Sequence, residues 1–317
     1  MYRIMGTSNA IRVVLIALCF SLPASYALNA DLHERTPTPD PMAGLPPDSS
    51  RLEAIQLGEG DEPSISPDGR RIAYVWGPTI CLYELDTGTT HQVCRNHNPH
   101  GVTWNPSGTK LAFQGDDSVV AHGKFWIWFV NPNGSDLRRI SEGPEDEHPL
   151  WSPDGKHLVW SRARRLWQAD SSGSDGHFLT RQPPPYVREY ARAWTEDGLH
   201  LLFMRGSEMG EEFRLWQVGR DTTDEAPDLT TTPVSRSQLG VTQDGRLLYR
   251  RAGTSSTNEI EFLERGANGR ARRCYVTNSD VYLISLAPDR SFAVFTYGDE
   301  EDGEILWLLR WRPEGGR

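Results

Sequence analysis

Carboxylates recur in pairs ahead of short apolar segments: Asp61-Glu62, then Asp146-Glu147 with His148 directly after, with Asp280 single in a later copy. Carboxylates beside a histidine can bind a cationic group or move a proton, because imidazole titrates near neutral pH while the carboxylates stay charged. A solvated or capping histidine uses the same spacing, so His148 alone decides nothing. The run Asp299-Glu300-Glu301-Asp302 offers the several oxygens that Ca2+ favours, yet it lacks the spacing of a calcium loop. No cofactor is expected, and Ca2+ is the one ion these residues could take. No G-x-S-x-G elbow, P-loop or H-E-x-x-H occurs in the sequence, so common hydrolase and nucleotide chemistry has no visible seat.

What must position these residues is a repeat. Six segments align without gaps: SISPDGRRIAYVW from Ser64, VTWNPSGTKLAFQ from Val102, PLWSPDGKHLVWS from Pro149, RAWTEDGLHLLFM from Arg192, LGVTQDGRLLYRR from Leu239 and ISLAPDRSFAVFT from Ile284. Each reads as a strand, a tight turn and a second, more apolar strand. Proline presets φ for the turn, Asp caps the backbone, and glycine accepts the positive φ that follows. Arg290 stands where the other copies have glycine, so the sixth turn should be the least regular. The copies recur about every 40 to 50 residues, the length of one four-stranded propeller blade. Third strands follow, such as KFWIWFVN and RRLWQAD, and Trp104, Trp151 and Trp194 recur at one first-strand position suited to packing between blades. The sixth copy ends after three strands. Residues 51–57, RLEAIQL, sit where a fourth strand would and are expected to pair with the strand around Glu304 to Arg310, closing the ring.

The SPDG-type segments, each preceded by a short apolar strand, resemble the TolB-type repeat, a cousin of the WD40 repeat, over roughly Arg51 to Arg312. That resemblance implies an all-β, six-bladed β-propeller in the periplasm; relatives bind lipoproteins or precede peptidase domains. Full-length TolB carries an α/β domain ahead of its propeller, whereas a proline-rich stretch occupies that place here, and no hydrolase domain is expected beside the propeller.

The remaining features bound the setting. The basic Met1-Tyr2-Arg3, the apolar run Val13 to Phe20 and the small residues before Ala27 read as a signal peptide over 1–27, cleaved after Ala27. Residues 28–50 hold five prolines and read as a tether, leaving 51–317 as the propeller. With 317 residues and a net charge of −10, a nucleic-acid partner is disfavoured, since phosphate binding needs a basic face. Sorting the loops by strand direction gathers carboxylates at one end of the ring. Asp61, Glu62, Asp146, Glu147, His148 and Asp280 are therefore expected to line a channel mouth that receives a protein or peptide with a basic surface. The chain is expected to be a monomer with no stable membrane span. The alternative is a saccharide-acting lyase or hydrolase using channel-lining His and carboxylates, with His148, Tyr190 and Arg236 around one pocket. Finally, Cys81 and Cys94 lie symmetrically about Thr87-Gly88 in CLYELDTGTTHQVC. A two-residue turn there would face them across the strands with Cα atoms roughly 4.5 Å apart, within disulfide range. That predicts a Cys81–Cys94 disulfide with Cys274 unpaired.

Overall fold

The structure, a computed structural model, describes residues 52–95, 97–117, 121–143, 145–181, 183, 185–195, 197–207, 213–221, 225–226, 234–241, 247–251, 258–263, 272–277, 281–289, 291–297 and 304–311. Between 226 and 284 the description is of backbone pairing. The signal and tether segments, Asp280, Arg290 and the Asp299 to Asp302 run lie outside the described residues. Among the described residues every regular element is a strand, and no helix is long and apolar enough to cross a membrane.

Strand β1 (Leu52–Glu59) is followed by a first sheet of β2 (Asp61–Ile65), β3 (Arg71–Trp76), β4 (Thr79–Glu84) and β5 (Thr89–Arg95). The second sheet holds β6 (His100–Trp104), β7 (Leu111–Asp117), β8 (Ala121–Val130) and β9 (Arg138–Arg139). The third holds β10 (Asp146–Trp151), β11 (His157–Arg162), β12 (Arg165–Asp170) and β13 (His177–Phe178). An eight-stranded sheet follows, from β14 (Val187–Trp194), β15 (His200–Ser207), β16 (Phe213–Gly219) and β17 (Glu225–Ala226) to β18 (Val234–Val241), β19 (Leu247–Arg251), β20 (Asn258–Leu263) and β21 (Arg272–Thr277). Its two halves are joined in the ladder at the pair Phe213↔Val234. The last sheet joins β22 (Val281–Leu286), β23 (Phe292–Tyr297) and β24 (Ile305–Trp311), and its outer strand is β1, paired antiparallel to β24 from Leu52↔Trp311 to Glu59↔Ile305. All these pairings are antiparallel.

The sheets stack through apolar cores on both faces, which is why their middle strands are continuously hydrophobic. On β3, Ile72 and Tyr74 pack with Phe292, Val294 and Leu306 of the last sheet, while Ala73 packs toward Trp104 and Phe113 of the second. Phe129 of the second sheet stacks on Trp151 of the third at 5.0 Å, and Val159 of the third packs with Trp194 and Phe203 of the next. First strands touch in the cyclic order β2, β6, β10, β14, β18, β22 and back to β2.

The tight turns close in the way their sequence predicts. In the first, Gly69 N donates to Ser66 O at 2.9 Å, and Asp68 Oδ1 accepts from the Ser66 hydroxyl and from Arg70 N. Ser152-Asp154-Gly155 and Thr195-Asp197-Gly198 repeat the arrangement, with Gly155 and Gly198 at φ 68° and 66°. Successive turns also touch: Gly69 lies against Pro288, Gly108 against Pro67, Gly155 against Pro106 and Gly198 against Pro153.

The cysteine pairing is corrected by the register. Cys81 and Cys94 are free thiols, because a bulge between Ile80 and Cys81 puts Cys94 opposite Ile80 and Cys81 opposite Gln92. The extra residue moves Cys94 to the opposite face of the sheet. Cys81 packs with Tyr74 and Tyr83 toward the last sheet, and Cys94 packs with Leu82 and Trp104 toward the second. Cys274 lies on β21.

Candidate functional site

The polar residues singled out in the sequence sit where the first strands begin. There the first strands of the first three sheets carry one residue more than their partners: Asp61 to Ser64 spans Val75 to Ala73, His100 to Thr103 spans Gln114 to Ala112, and Glu147 to Leu150 spans Ser161 to Val159. Such a bulge breaks the alternation of side chains and re-aims them. Its middle residue is left-handed, at φ 51° for Glu62, 60° for Gly101 and 54° for His148. Glycine fills the second copy at the least backbone strain, and a Cβ there would meet His148 Nδ1 at an ordinary contact distance of 3.5 Å.

Side-chain oxygens secure each bulge, reaching from sheet to sheet. Asp61 Oδ1 accepts from Glu62 N at 2.6 Å and from the Thr296 hydroxyl of the last sheet at 2.9 Å. Glu62 Oε2 accepts from Gly101 N of the second sheet at 2.5 Å and stands 3.8 Å from His100 Nδ1. Gln114 Oε1 accepts from His148 N of the third at 2.7 Å, and the His148 ring meets Tyr190 edge to face at 5.0 Å. Burial holds the His100 imidazole below its ordinary value, against the pull of Asp61 and Asp116. His100 is thus mostly neutral at pH 7 and is poised to gain charge as pH falls.

The third and fourth repeats carry a different device one residue earlier. Asp146 is 0% exposed and takes a bidentate pair of bonds from Arg162, Nε at 2.7 Å and Nη2 at 2.8 Å. The Arg162 guanidinium also lies over Trp167 at 4.3 Å. Glu189 and Arg205 occupy the same columns of the next repeat: Arg205 Nε reaches Glu189 Oε1 at 2.8 Å and the guanidinium lies over Trp216 at 4.5 Å. Glu189 Oε2 accepts from the Thr180 hydroxyl and from Leu166 N, and Arg205 Nη1 reaches Glu225 at 2.8 Å. Burial pushes the Glu189 carboxyl above its usual range, outweighing Thr180 and Arg205. Glu147 is paired with Arg188 at 3.3 Å.

These arginines change the expected electrostatics. The end gathered as an acidic rim carries Arg162, Arg188 and Arg205 as well, so it is not uniformly acidic: guanidinium groups pair with the carboxylates of the third and fourth repeats. Asp146 is a buried anchor and not a surface contact. Asp61, Glu62, Glu147 and His148 are all half-buried at this end, and Asp280 lies outside the described residues. His100, Gln114, Arg162, Arg188, Glu189 and Arg205 were not singled out by the sequence reading. Arg162 and Arg205 had a signal, since both follow the aligned second strand by one position. Among the described residues no group of three or more His, Cys, Asp or Glu is arranged to hold a metal ion.

No protein-family model matches the chain. Among curated proteins it is similar to the uncharacterized protein YidR of Escherichia coli (strain K12), 26% identical over 113 residues, which is 35% of this chain and 26% of that one. It is also similar to the TolB homolog of Chlorobium chlorochromatii (strain CaD3), 33% identical over 110 residues, 32% of this chain and 23% of that one. The matches thus span about a quarter of the relatives' own length. Among solved structures, TolB from Acinetobacter baumannii superposes with a TM-score of 0.57 at 15% identity, covering 86% of this chain and 67% of that one. The β-propeller domain of the Trilobed protease from Pyrococcus furiosus gives 0.54 at 16% identity, covering 81% and 80%. Oligogalacturonate lyase from Vibrio parahaemolyticus gives 0.56 at 14% identity, covering 84% and 80%. At these identities the likeness is one of fold, and that fold is an all-β propeller.

Proposed function

We propose that this chain, whose repeats are TolB-like, is an exported periplasmic propeller that binds a protein or peptide through the end bearing the bulged first strands. In this reading residues 1–27 are a signal peptide, 28–50 a tether, and the rest six blades with β1 as the outer strand of the sixth. The pairing of β1 with β24 and the cyclic contacts of the first strands support that count.

One observation carries the binding reading. The tight-turn end repeats one solution, whereas the opposite end presents different polar side chains, Glu62, His100, Glu147 and His148, on one recurrent bulge. A fixed frame with variable polar display suits recognition, and the partly exposed Asp61, Glu62 and Glu147 suit a partner offering lysine or arginine. The test is site-specific crosslinking in intact cells from position 100, with and without Glu62→Lys and Glu147→Lys. Loss of the adduct in variants that keep a cooperative melting transition supports the reading; an adduct that persists refutes it.

A second reading, chemistry on a saccharide at the same mouth, is favoured by the His148–Tyr190 contact. Cleavage of an oligosaccharide that disappears in His148→Ala would establish it in place of the first.

A further inference from the structure

One carboxylate oxygen at the mouth stands between two donors. Glu62 Oε2 accepts from Gly101 N at 2.5 Å and lies 3.8 Å from His100 Nδ1, one residue earlier on the same bulge. The first contact is a hydrogen bond and the second is beyond reach of one, so a movement of about 1 Å would exchange the amide for the imidazole. The charge of the ring decides which donor wins. A neutral imidazole competes poorly with a bonded amide, whereas an imidazolium offers a charge-assisted bond roughly twice as strong. The His100 side chain is 41% exposed, so protons reach it without any opening of the fold.

The groups facing His100 come from several elements. Asp61 of β2 and Asp116 of β7 draw a proton toward it, and β2 also brings Glu62 itself. The preceding loop brings His97, its Nδ1 3.0 Å from the Asp116 carbonyl. From β10 come His148, which lies against Gly101, and Glu147, which is held by Arg188. On β8 the Phe125 ring meets His100 edge to face at 6.0 Å, with the exposed Lys124 just before it. Arg71 of β3 lies over Trp104, at the far end of β6.

We propose that His100 is the proton sensor of the mouth: once protonated it takes Glu62 from the Gly101 amide and from the lysine or arginine of a bound partner, so that acid releases the partner. His100 plays this part only where the protein-binding reading holds, since release needs a basic partner. A cation seated beside Glu62 disfavours the protonated ring, and by linkage the protonated ring disfavours that cation equally. Burial outweighs the pull of Asp61 and Asp116 and holds His100 below 6.5. Affinity is therefore full above the folded value of His100 and falls as pH drops through it, in the window just below 6.5.

The experiment uses the full chain and an acetylated pentalysine amide, a basic probe whose own charge is constant over the interval. Its Kd is measured at pH 7.5 and 5.5 for the native chain, Glu62→Lys and His100→Gln, and the Gly101 amide of the native chain is followed by NMR through the same interval. The expected result is a native Kd about three- to tenfold weaker at pH 5.5, as one coupled proton allows, with a ratio near one in His100→Gln. The Gly101 amide should shift with the midpoint of the His100 ring, a measurement that needs no variant and decides the matter even where His100→Gln fails to fold. Equal Kd at both pH values, a pH dependence that persists in His100→Gln, or a Gly101 amide that stays fixed while the ring titrates overturns the sensor and leaves the mouth intact. Binding that survives Glu62→Lys, or no binding of the probe at either pH, refutes the mouth as a cation site and the release with it.

Discussion

The two ends of the propeller solve the same problem, securing the start and the turn of each repeat, by different physics. At the tight-turn end the bonds that close each turn are local, with Asp154 capping Ser152 and Lys156 N and Asp289 capping Ser291 within two residues of chain, and longer reaches such as Arg71 Nη2 to Gly108 O at 3.0 Å are added to them. At the other end the bonds are long: Asp61 reaches Thr296, Glu62 reaches Gly101, and Glu147 reaches Arg188 across neighbouring sheets. Local bonds need only the motif, so that end is repetitive. Long bonds need a neighbour, so each junction at the other end has its own chemistry.

The strongest way to break this contrast is to remove a guanidinium from the long-range end. Arg162→Met leaves the buried Asp146 carboxyl without its guanidinium partner, and should cost about 3–5 kcal/mol by urea unfolding. Replacing Asp146 by Leu in the same chain should restore most of that loss. A cost under about 1 kcal/mol would show that the pair carries no such weight.

Deleting residues 51–57 tests the junction made by β1. Ile55 and Leu57 are partly buried against the core shared by the first and last sheets. Their loss should lower stability by about 2 kcal/mol, roughly 4–8 °C in Tm for a chain of this size. An unchanged Tm would mean that β1 adds nothing to the ring.

At the tight-turn end the effects should be small and additive. Asp154→Ala should cost about 1 kcal/mol, one turn's net hydrogen bonding. The same end sets an acid limb. Burial raises the Asp154 carboxyl, but bonds from Ser152 and Lys156 N with the charges of His157 and Arg220 outweigh it and hold it below 3.8. Asp170 and Asp289 are likewise lowered, through Ser172 and Ser291. A depressed carboxyl stabilises the fold above its unfolded value, and this contribution is lost as pH falls through the folded value. Glu189 has the opposite sign: raised by burial, it favours the fold most below 4.5 and loses that contribution as pH rises through its folded value. Glu189→Gln should therefore flatten the stability profile above 4.5 and leave the acid limb below it, as followed by denaturant midpoints across pH.

The smallest effect concerns the thiols. Burial pushes both Cys81 and Cys94 up to about 11, so neither should react with iodoacetamide at pH 8 in the native protein. Both should react in denaturant without a reductant. A Cys81–Cys94 disulfide recovered by mass spectrometry would overturn the bulge at Cys94.

The contrast also explains what could be read from sequence. The SPDG turns, the apolar third strands and the pairing of β1 with β24 depend on local motif and period, and all were legible. Asp61, Glu62, Glu147 and His148 lie at the starts of first strands, a position that strand direction implies by counting. The pairing of Asp146 with Arg162 was not legible, since the two meet only once the hairpin register is fixed. Arg188 belongs to the following repeat and meets Glu147 only when sheets stack. The Cys94 expectation failed on one extra residue, because a bulge reverses every side chain beyond it and no residue type in that hairpin announces one.

The register of β1 on β24 has a mechanical consequence. Leu52 lies opposite Trp311, so the two ends of the described fold leave from the same end of one ladder. Tension applied between them acts across the strands and loads the hydrogen-bonded pairs one after another, as in peeling, instead of sharing the load in shear. A pull in an optical trap between positions 52 and 311 should release β1 at low force before the remaining sheets yield, and a single high-force rupture would contradict that geometry. Under load, the seam opens from its edge.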